Sequence, residues 1–211
     1  MLWIIPGLVV SYLIGSVPTA YIFGRLFKNI DIRKFGSGNV GATNALRVLG
    51  KRVGFVVLFL DVLKGFLCVL IIGNILIPRV TLASREALLI ILGLSCVCGH
   101  IWTVFLRFKG GKGVAASLGV LLGLSLKIAI LKPILILSIL TWLAVFVISR
   151  IVSVASILTA LLMPAYTFLF AESKVLLLFT FLLSVFVIIR HRSNIIRVCQ
   201  GKEERVTFVK K

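Results

Sequence analysis

Between Leu2 and Gly24 there is no charged side chain. A helix needs about 20 consecutive apolar residues to cross the ~30 Å hydrocarbon core of a bilayer, and this run is the first of several of that order. In hydrocarbon every backbone N–H and C=O must find its partner inside the protein, which favours helices. Composition agrees: 60% of the 211 residues are Ala, Val, Ile, Leu, Met, Phe, Trp, Tyr or Cys, against about 45–50% in soluble proteins even with Gly counted. That excludes an ordinary soluble domain, and it excludes disorder, which requires low hydrophobicity. The charges are lopsided, with 24 Lys and Arg against 6 Asp and Glu and a net charge of +18. Such a balance suits nucleic acid in a polar chain, but in one this apolar the cations belong at a membrane surface, and no nucleic-acid partner is expected.

Interruptions divide the chain into seven expected spans. The first covers residues 2–24. The second, 53–77, carries Asp61 and Lys64, and the third, 87–106, has His100 near its end. The fourth, 113–131, reaches Leu131 with Lys127 snorkelling to the interface. The stretch from Pro133 to Ala171 as one helix would run about 58 Å at 1.5 Å per residue, so it divides at Ser149-Arg150 into 133–149 and 151–171. The last span, 175–189, is short but flanked by Lys174 and Arg190. The expected fold is an all-α integral membrane protein, residues 1–211 forming one seven-helix domain. With the N-terminus outside, the inner segments 25–52, 107–113, Arg150 and the tail from Arg190 hold 18 of the 24 cations and the outer segments hold five. The positive-inside rule then places the C-terminus in the cytoplasm. The start, Met-Leu-Trp-Ile-Ile-Pro, lacks the basic region of a cleaved signal peptide, so the first run is expected to remain as a span.

Cys68, Cys96 and Cys98 lie in apolar runs and read as small buried hydrophobes. Cys199, in the polar tail, suits a reducing compartment. Asp61 and Lys64, three apart on one helix face, make either an internal ion pair that lets the helix insert or a functional charge within the membrane.

Three segments on the expected inner side carry chemistry. In the first, Gly36, Gly38 and Gly41 allow backbone shapes that expose N–H groups, Ser37, Asn39, Thr43 and Asn44 add side-chain donors, and Arg47, Lys51 and Arg52 follow. Such concavities bind phosphate. In the second, Lys109 and Lys112 bracket Gly110 and Gly111 at the mouth of a helix. It lacks the GxxxxGK[ST] pattern and has Val114 where a magnesium-binding hydroxyl would stand, which disfavours nucleotide hydrolysis. In the third, helical spacing puts Arg190, His191, Asn194 and Arg197 close enough to act on one ligand. Asp31, Glu203 and Glu204 are the inner acids, and none lies inside these segments. GxSxG is absent, and neither His100 nor His191 is followed by HxxxxD, since Phe105 and Ile196 stand there. No cysteine, histidine or carboxylate spacing suits a metal. A site of donors and cations remains, suited to holding phosphates and stabilising an oxyanion.

These segments resemble the three cytoplasmic motifs of the PlsY-type glycerol-3-phosphate acyltransferases of bacteria, approximately GSGNxGxxNxxR, GHxxPxFxxFKGGKGxA and RHxxNIxR. Here they read Gly36 to Arg47, Gly99 to Ala115 and Arg190 to Arg197. The resemblance implies acyl transfer from acyl phosphate to the 1-hydroxyl of sn-glycerol 3-phosphate, without cofactor or metal, by a monomer in the bacterial inner membrane with its site facing the cytoplasm. It implies catalytic roles for Ser37, Asn39, Lys109, His191 and Asn194, and substrate binding by Gly38, Asn44, Arg47, His100, Lys112 and Arg197. In one expected division of labour, Ser37, Asn39 and Lys109 hold the donor phosphate and polarise the carbonyl, while Arg47, Asn194 and Arg197 hold the acceptor. The hydroxyl proton passes to a substrate phosphate oxygen or to His191. The family's second motif has proline where this chain has Thr103, so no proline fixes a break in the helix there, and Arg107 takes a position that is often small. A transporter for a phosphorylated metabolite would show internal repeats or a polar cluster at mid-depth beyond Asp61 and Lys64, and a lipid anchor would need cations without the Gly-Asn pattern.

Overall fold

A computed structural model describes residues 2–80 and 85–206, which fall into two compact units, residues 1–127 and 128–211. Lys210 and Lys211 of the basic tail lie outside the described residues. All regular structure among the described residues is helical.

The first unit begins with α1 (Ile4–Ser16) and α2 (Thr19–Lys28). The expected first span is made of two helices that together form one apolar segment long enough to cross a membrane, Ile4–Lys28. Pro18 drives the preceding residue out of helical geometry, and Val17 takes ψ 113°. Asn29, left-handed at φ 53°, ends α2. A loop leads to α3 (Ala42–Leu49) and α4 (Lys51–Leu67), which runs through a π-helical turn, Cys68–Ile72, into α5 (Gly73–Leu76). Next come α6 (Arg85–Ile101) and α7 (Val114–Ser125). Glycines let α1 and α6 pack backbone to backbone: a Cβ on Gly15 would strike the Cys96 carbonyl and one on Gly99 the Tyr12 carbonyl. Ser95 Oγ donates to the Leu8 carbonyl at 2.8 Å across the same contact.

The second unit holds α8 (Leu131–Ser149), α9 (Val152–Phe170), α10 (Lys174–Arg190) and α11 (Arg192–Cys199). The break at Ser149-Arg150 falls where expected, with Arg150 left-handed at φ 61° and its N–H bonded to Phe146 O at 2.8 Å. Polarity is inverted relative to a soluble protein. Ile136, Leu140, Leu143, Val147 and Ile148 point outward, while Ser138, Thr167 and Thr180 are buried and donate to the carbonyl four residues back.

Five helical segments among the described residues are long and apolar enough to cross a membrane: Ile4–Lys28, Lys51–Arg79, Arg85–Leu106, Leu131–Ser149 and Val152–Phe170. The pair Lys174–Arg190 and Arg192–Cys199, bent by 58°, makes a sixth if counted as one span. The expected fourth span is instead the 12-residue α7, about 18 Å long at 1.5 Å per residue. Its sides explain how so short a helix survives. Ala116, Ser117, Gly119, Val120, Leu121, Gly123 and Leu124 are all buried, and α7 packs against α4 and α6. A helix enclosed by protein need not match the thickness of lipid.

Candidate active site

The first glycine-rich loop is built around Asn44. Its side chain is fully buried on α3. Oδ1 accepts from the Ser37 N–H at 2.9 Å, and Nδ2 lies within donating distance of the carbonyls of Ile32 (3.3 Å), Phe35 (3.1 Å) and Asn39 (3.0 Å). Gly36, at φ +57°, must be glycine on two counts, because a Cβ there would also collide with Asn44 Oδ1. Beneath the loop Ile32, Val40, Ala45, Val57, Ala20 and Leu106 form a buried apolar cluster. Ahead of it Asp31 accepts from Arg33 N at 3.1 Å and pairs with the Arg33 guanidinium at 2.6 Å, which holds the Asp31 carboxyl down at about 2.

This geometry alters the expected anion cradle. The N–H of Ser37 is spent on Asn44 and that of Gly38 on Phe35 O at 3.0 Å. What the loop presents instead is side chains, with Ser37 exposed and Asn39 and Arg47 half-buried.

The second loop doubles back on the end of α6. After Ile101 the chain turns at Thr103, whose φ of −65° is the value proline imposes, so the break forms without proline. Arg107 and Phe108 follow, both left-handed at φ 53° and 61°. Then the N–H of Gly110 bonds to Ile101 O at 3.0 Å and that of Gly111 to His100 O at 2.9 Å. Gly111 lies so near the imidazole that a Cβ would run into His100 Nε2. His100, 7% exposed, thus sits beneath the loop. Lys109 is exposed and Lys112 half-buried.

In the second unit His191 is buried, and its Nδ1 lies 2.7 Å from the Val187 carbonyl. A carbonyl can only accept, so Nδ1 carries the proton and a neutral ring keeps its lone pair on Nε2. Asn194 is 3% exposed. The residue that the motif pattern misses is Glu203. Its Oε1 accepts from Asn194 Nδ2 at 2.6 Å and Ser153 Oγ at 2.8 Å, and its Oε2 from Arg197 Nε at 2.7 Å. Burial pushes the Glu203 carboxyl up, but these three donors outweigh it and hold it below its ordinary value. The Val206 N–H, bonded to Arg150 O at 2.8 Å, fastens the tail. No sequence signal marked this acid, because it lies beyond the motif and meets Ser153 through the fold. Among the described residues no group of three or more His, Cys, Asp or Glu is placed to hold a metal ion.

Comparison with known proteins agrees with these motifs. The family model described as glycerol-3-phosphate acyltransferase matches residues 5–201. A glycerol-3-phosphate acyltransferase of Staphylococcus haemolyticus (strain JCSC1435) is 40% identical over 208 residues, covering 98% of this chain and 99% of that one. Its counterpart in Staphylococcus aureus (strain Newman) is 41% identical over 211 residues, with the same coverage. Among solved structures, the integral membrane glycerol 3-phosphate acyltransferase PlsY is 37% identical. Its glycerol 3-phosphate form superposes with a TM-score of 0.83, covering 97% of this chain and 96% of that one. The lysophosphatidic acid form gives 0.80, covering 97% and 95%. Matched nearly end to end in sequence and in fold, this chain belongs to the glycerol-3-phosphate acyltransferase family and has the all-helical integral membrane fold of PlsY.

Proposed function

We propose that this chain transfers an acyl group from acyl phosphate to the 1-hydroxyl of sn-glycerol 3-phosphate, forming 1-acyl-sn-glycerol 3-phosphate and inorganic phosphate. The bond from the acyl carbon to phosphate oxygen breaks and an ester bond to the glycerol oxygen forms. The reading rests on family membership and on one observation: Lys109, exposed and without an ion pair among the described residues, stands on a loop whose next two residues are pinned to the end of α6. A cation carried on so anchored a backbone is placed to stabilise the charge that develops on phosphate and carbonyl oxygens.

Ser37, Asn39 and Lys109 bind the donor phosphate, aided by Lys112 just ahead of α7, while Gly38, left-handed at φ 70° with its N–H bonded to Phe35 O, serves by shaping the loop. Arg47, Asn194 and Arg197 bind the acceptor. Asn44 and His100 serve by holding the two loops, since the Asn44 amide is bonded to backbone groups of the first and the His100 ring lies against Gly111 of the second. The proton leaves the attacking hydroxyl for a substrate phosphate oxygen or for His191.

The whole chain acts as one domain and, in this reading, as a monomer in the bacterial cytoplasmic membrane. It crosses seven times, the enclosed α7 counting as the fourth, with the N-terminus outside and the site facing the cytoplasm. The 18 to 5 distribution of cations supports this orientation.

The test supplies purified protein in lipid with labelled glycerol 3-phosphate and, in turn, acyl phosphate, acyl-CoA or acyl-carrier protein. Lysophosphatidate from acyl phosphate alone is expected. Product from acyl-CoA alone overturns the donor, and label accumulating in sealed vesicles without acylation points to a transporter.

A further inference from the structure

Two charged side chains inside α4 have no part in the reaction above. Asp61 is 1% exposed and Lys64 is 7% exposed. Asp61 Oδ1 lies 2.8 Å from Lys64 Nζ, accepts from Thr19 Oγ1 at 2.7 Å, and is 3.7 Å from His100 Nδ1. Lys64 Nζ also donates to Val17 O at 3.2 Å, a carbonyl at the junction of α1 and α2 that accepts the Thr19 N–H at 3.1 Å as well. One carboxylate thus joins α2, α4 and the end of α6.

An ion pair that only helped a helix insert would be a poor choice. Within a span Asp and Lys are costly where Leu is favourable, and buried pairs replaced by apolar residues are often neutral or stabilising. Asp61 Oδ2 is buried and accepts no hydrogen bond from the described residues, which adds to the cost. The arrangement makes sense through what lies on the other side of His100. The imidazole abuts Gly111, and Gly110 and Gly111 line the same small cavity as Asp61, Lys64 and, from the first loop, Val40.

We propose that Asp61, with Lys64 and Thr19, is a positioning element for the Lys109–Lys112 loop, acting through the imidazole of His100. It sets the height of that loop against the first glycine-rich loop, and so where Lys109 meets the donor phosphate. This rests on the donor role given to Lys109 above.

The decisive variant replaces the pair with apolar residues, Asp61→Leu with Lys64→Met, leaving no charge stranded. With unfolding temperature retained, we expect the KM for acyl phosphate to rise at least tenfold while that for glycerol 3-phosphate stays within twofold. Amide exchange at residues 110–112 is expected to quicken at least tenfold, with that of α8 and α9 unchanged. A folded variant with wild-type KM values and wild-type exchange overturns the proposal, leaving the pair to insertion alone. So does an equal rise in both KM values without faster exchange. If the double variant does not fold, Thr19→Val decides, since it removes one donor to Asp61 and keeps the ion pair. A threefold rise in the acyl phosphate KM with faster loop exchange supports the proposal, and no change in either overturns it. Should the wild type make no product from acyl phosphate, the proposed donor falls, while amide exchange still decides whether Asp61 holds the loop.

Discussion

The hydroxyl of Thr103 donates to the carbonyl of Ser16 at 2.5 Å, joining the turn after α6 to the end of α1 across 87 positions of sequence. Both residues are buried. Ser16 O is one of the carbonyls left without a helical partner where α1 stops, so a second helix satisfies it. Thr103→Val is expected to leave that carbonyl unpaired and to destabilise by about 1–3 kcal/mol. Thr103→Pro loses the same bond, yet fits the backbone at φ −65° and stiffens the unfolded chain, recovering roughly 0.4–1 kcal/mol. Thermal unfolding in detergent should rank wild type above the proline variant and that above the valine variant; the reverse order of the two variants would contradict this account.

Arg107 adopts φ 53° within the second loop, a conformation that costs a residue with a Cβ about 1–2 kcal/mol and glycine almost nothing. Arg107→Gly should therefore raise the unfolding free energy by about 1 kcal/mol, the cost of glycine's freedom in the unfolded chain offsetting part of the gain. Chemical denaturation reads the change directly.

Asn44 accepts from one N–H and shares its two amide hydrogens among three carbonyls. Asn44→Ala should cost about 3 kcal/mol, several buried hydrogen bonds at roughly 1 kcal/mol each, and should loosen Ser37 and Asn39. Amide exchange at residues 36–40 should quicken with the fall in kcat/KM; a large loss of activity with that segment still protected would argue for direct contact with substrate.

Lys109→Ala, compared at equal inserted protein in proteoliposomes, should lower kcat/KM for acyl phosphate by about 100-fold or more, the usual loss on removing one transition-state donor. Lys109→Arg should recover part of it. A wild-type rate in the alanine variant would remove Lys109 from the mechanism.

Glu203 carries the acid sensitivity of the second unit. Burial raises its pKa, the donors Asn194, Arg197 and Ser153 outweigh it, and the folded value lies below the ordinary 4.5. The stabilisation is therefore complete above about pH 4.5 and is lost as pH falls through the lowered value. Asp31 in the first unit behaves likewise, from 3.8 down to about 2. The unfolding temperature should be flat from pH 7 to 5 and then fall, and Glu203→Gln should flatten that fall. At pH 7 the same variant should lower kcat/KM about tenfold or more, through loss of charge-assisted bonds worth roughly 1.5–3 kcal/mol to Asn194 and Arg197.

Much of this was legible in the chain. The apolar runs pointed to a helical membrane protein because backbone in lipid has few ways to pair. The break at Ser149-Arg150 followed from length alone, and the donor-rich motifs were visible because each is contiguous in sequence. Segment 113–131 holds a shorter helix than its apolar length suggests, since hydropathy reports that residues are apolar and not whether they face lipid or protein. The glycine-rich loop is expected to expose N–H groups to an anion, but those of Ser37 and Gly38 bond to Asn44 and Phe35 within the loop.

What the sequence by itself determined is the solvent, the helical class and the chemical classes gathered in each motif, because these depend on composition and local spacing. Tertiary structure alone decided which donor meets which acceptor. Thr103 finds Ser16, Asp61 gathers Thr19 and His100, and Glu203 draws Ser153 to Asn194 and Arg197. Hydrogen bonds and ion pairs act over a few ångströms, and in these cases the fold brings together groups separated by up to 87 positions of chain.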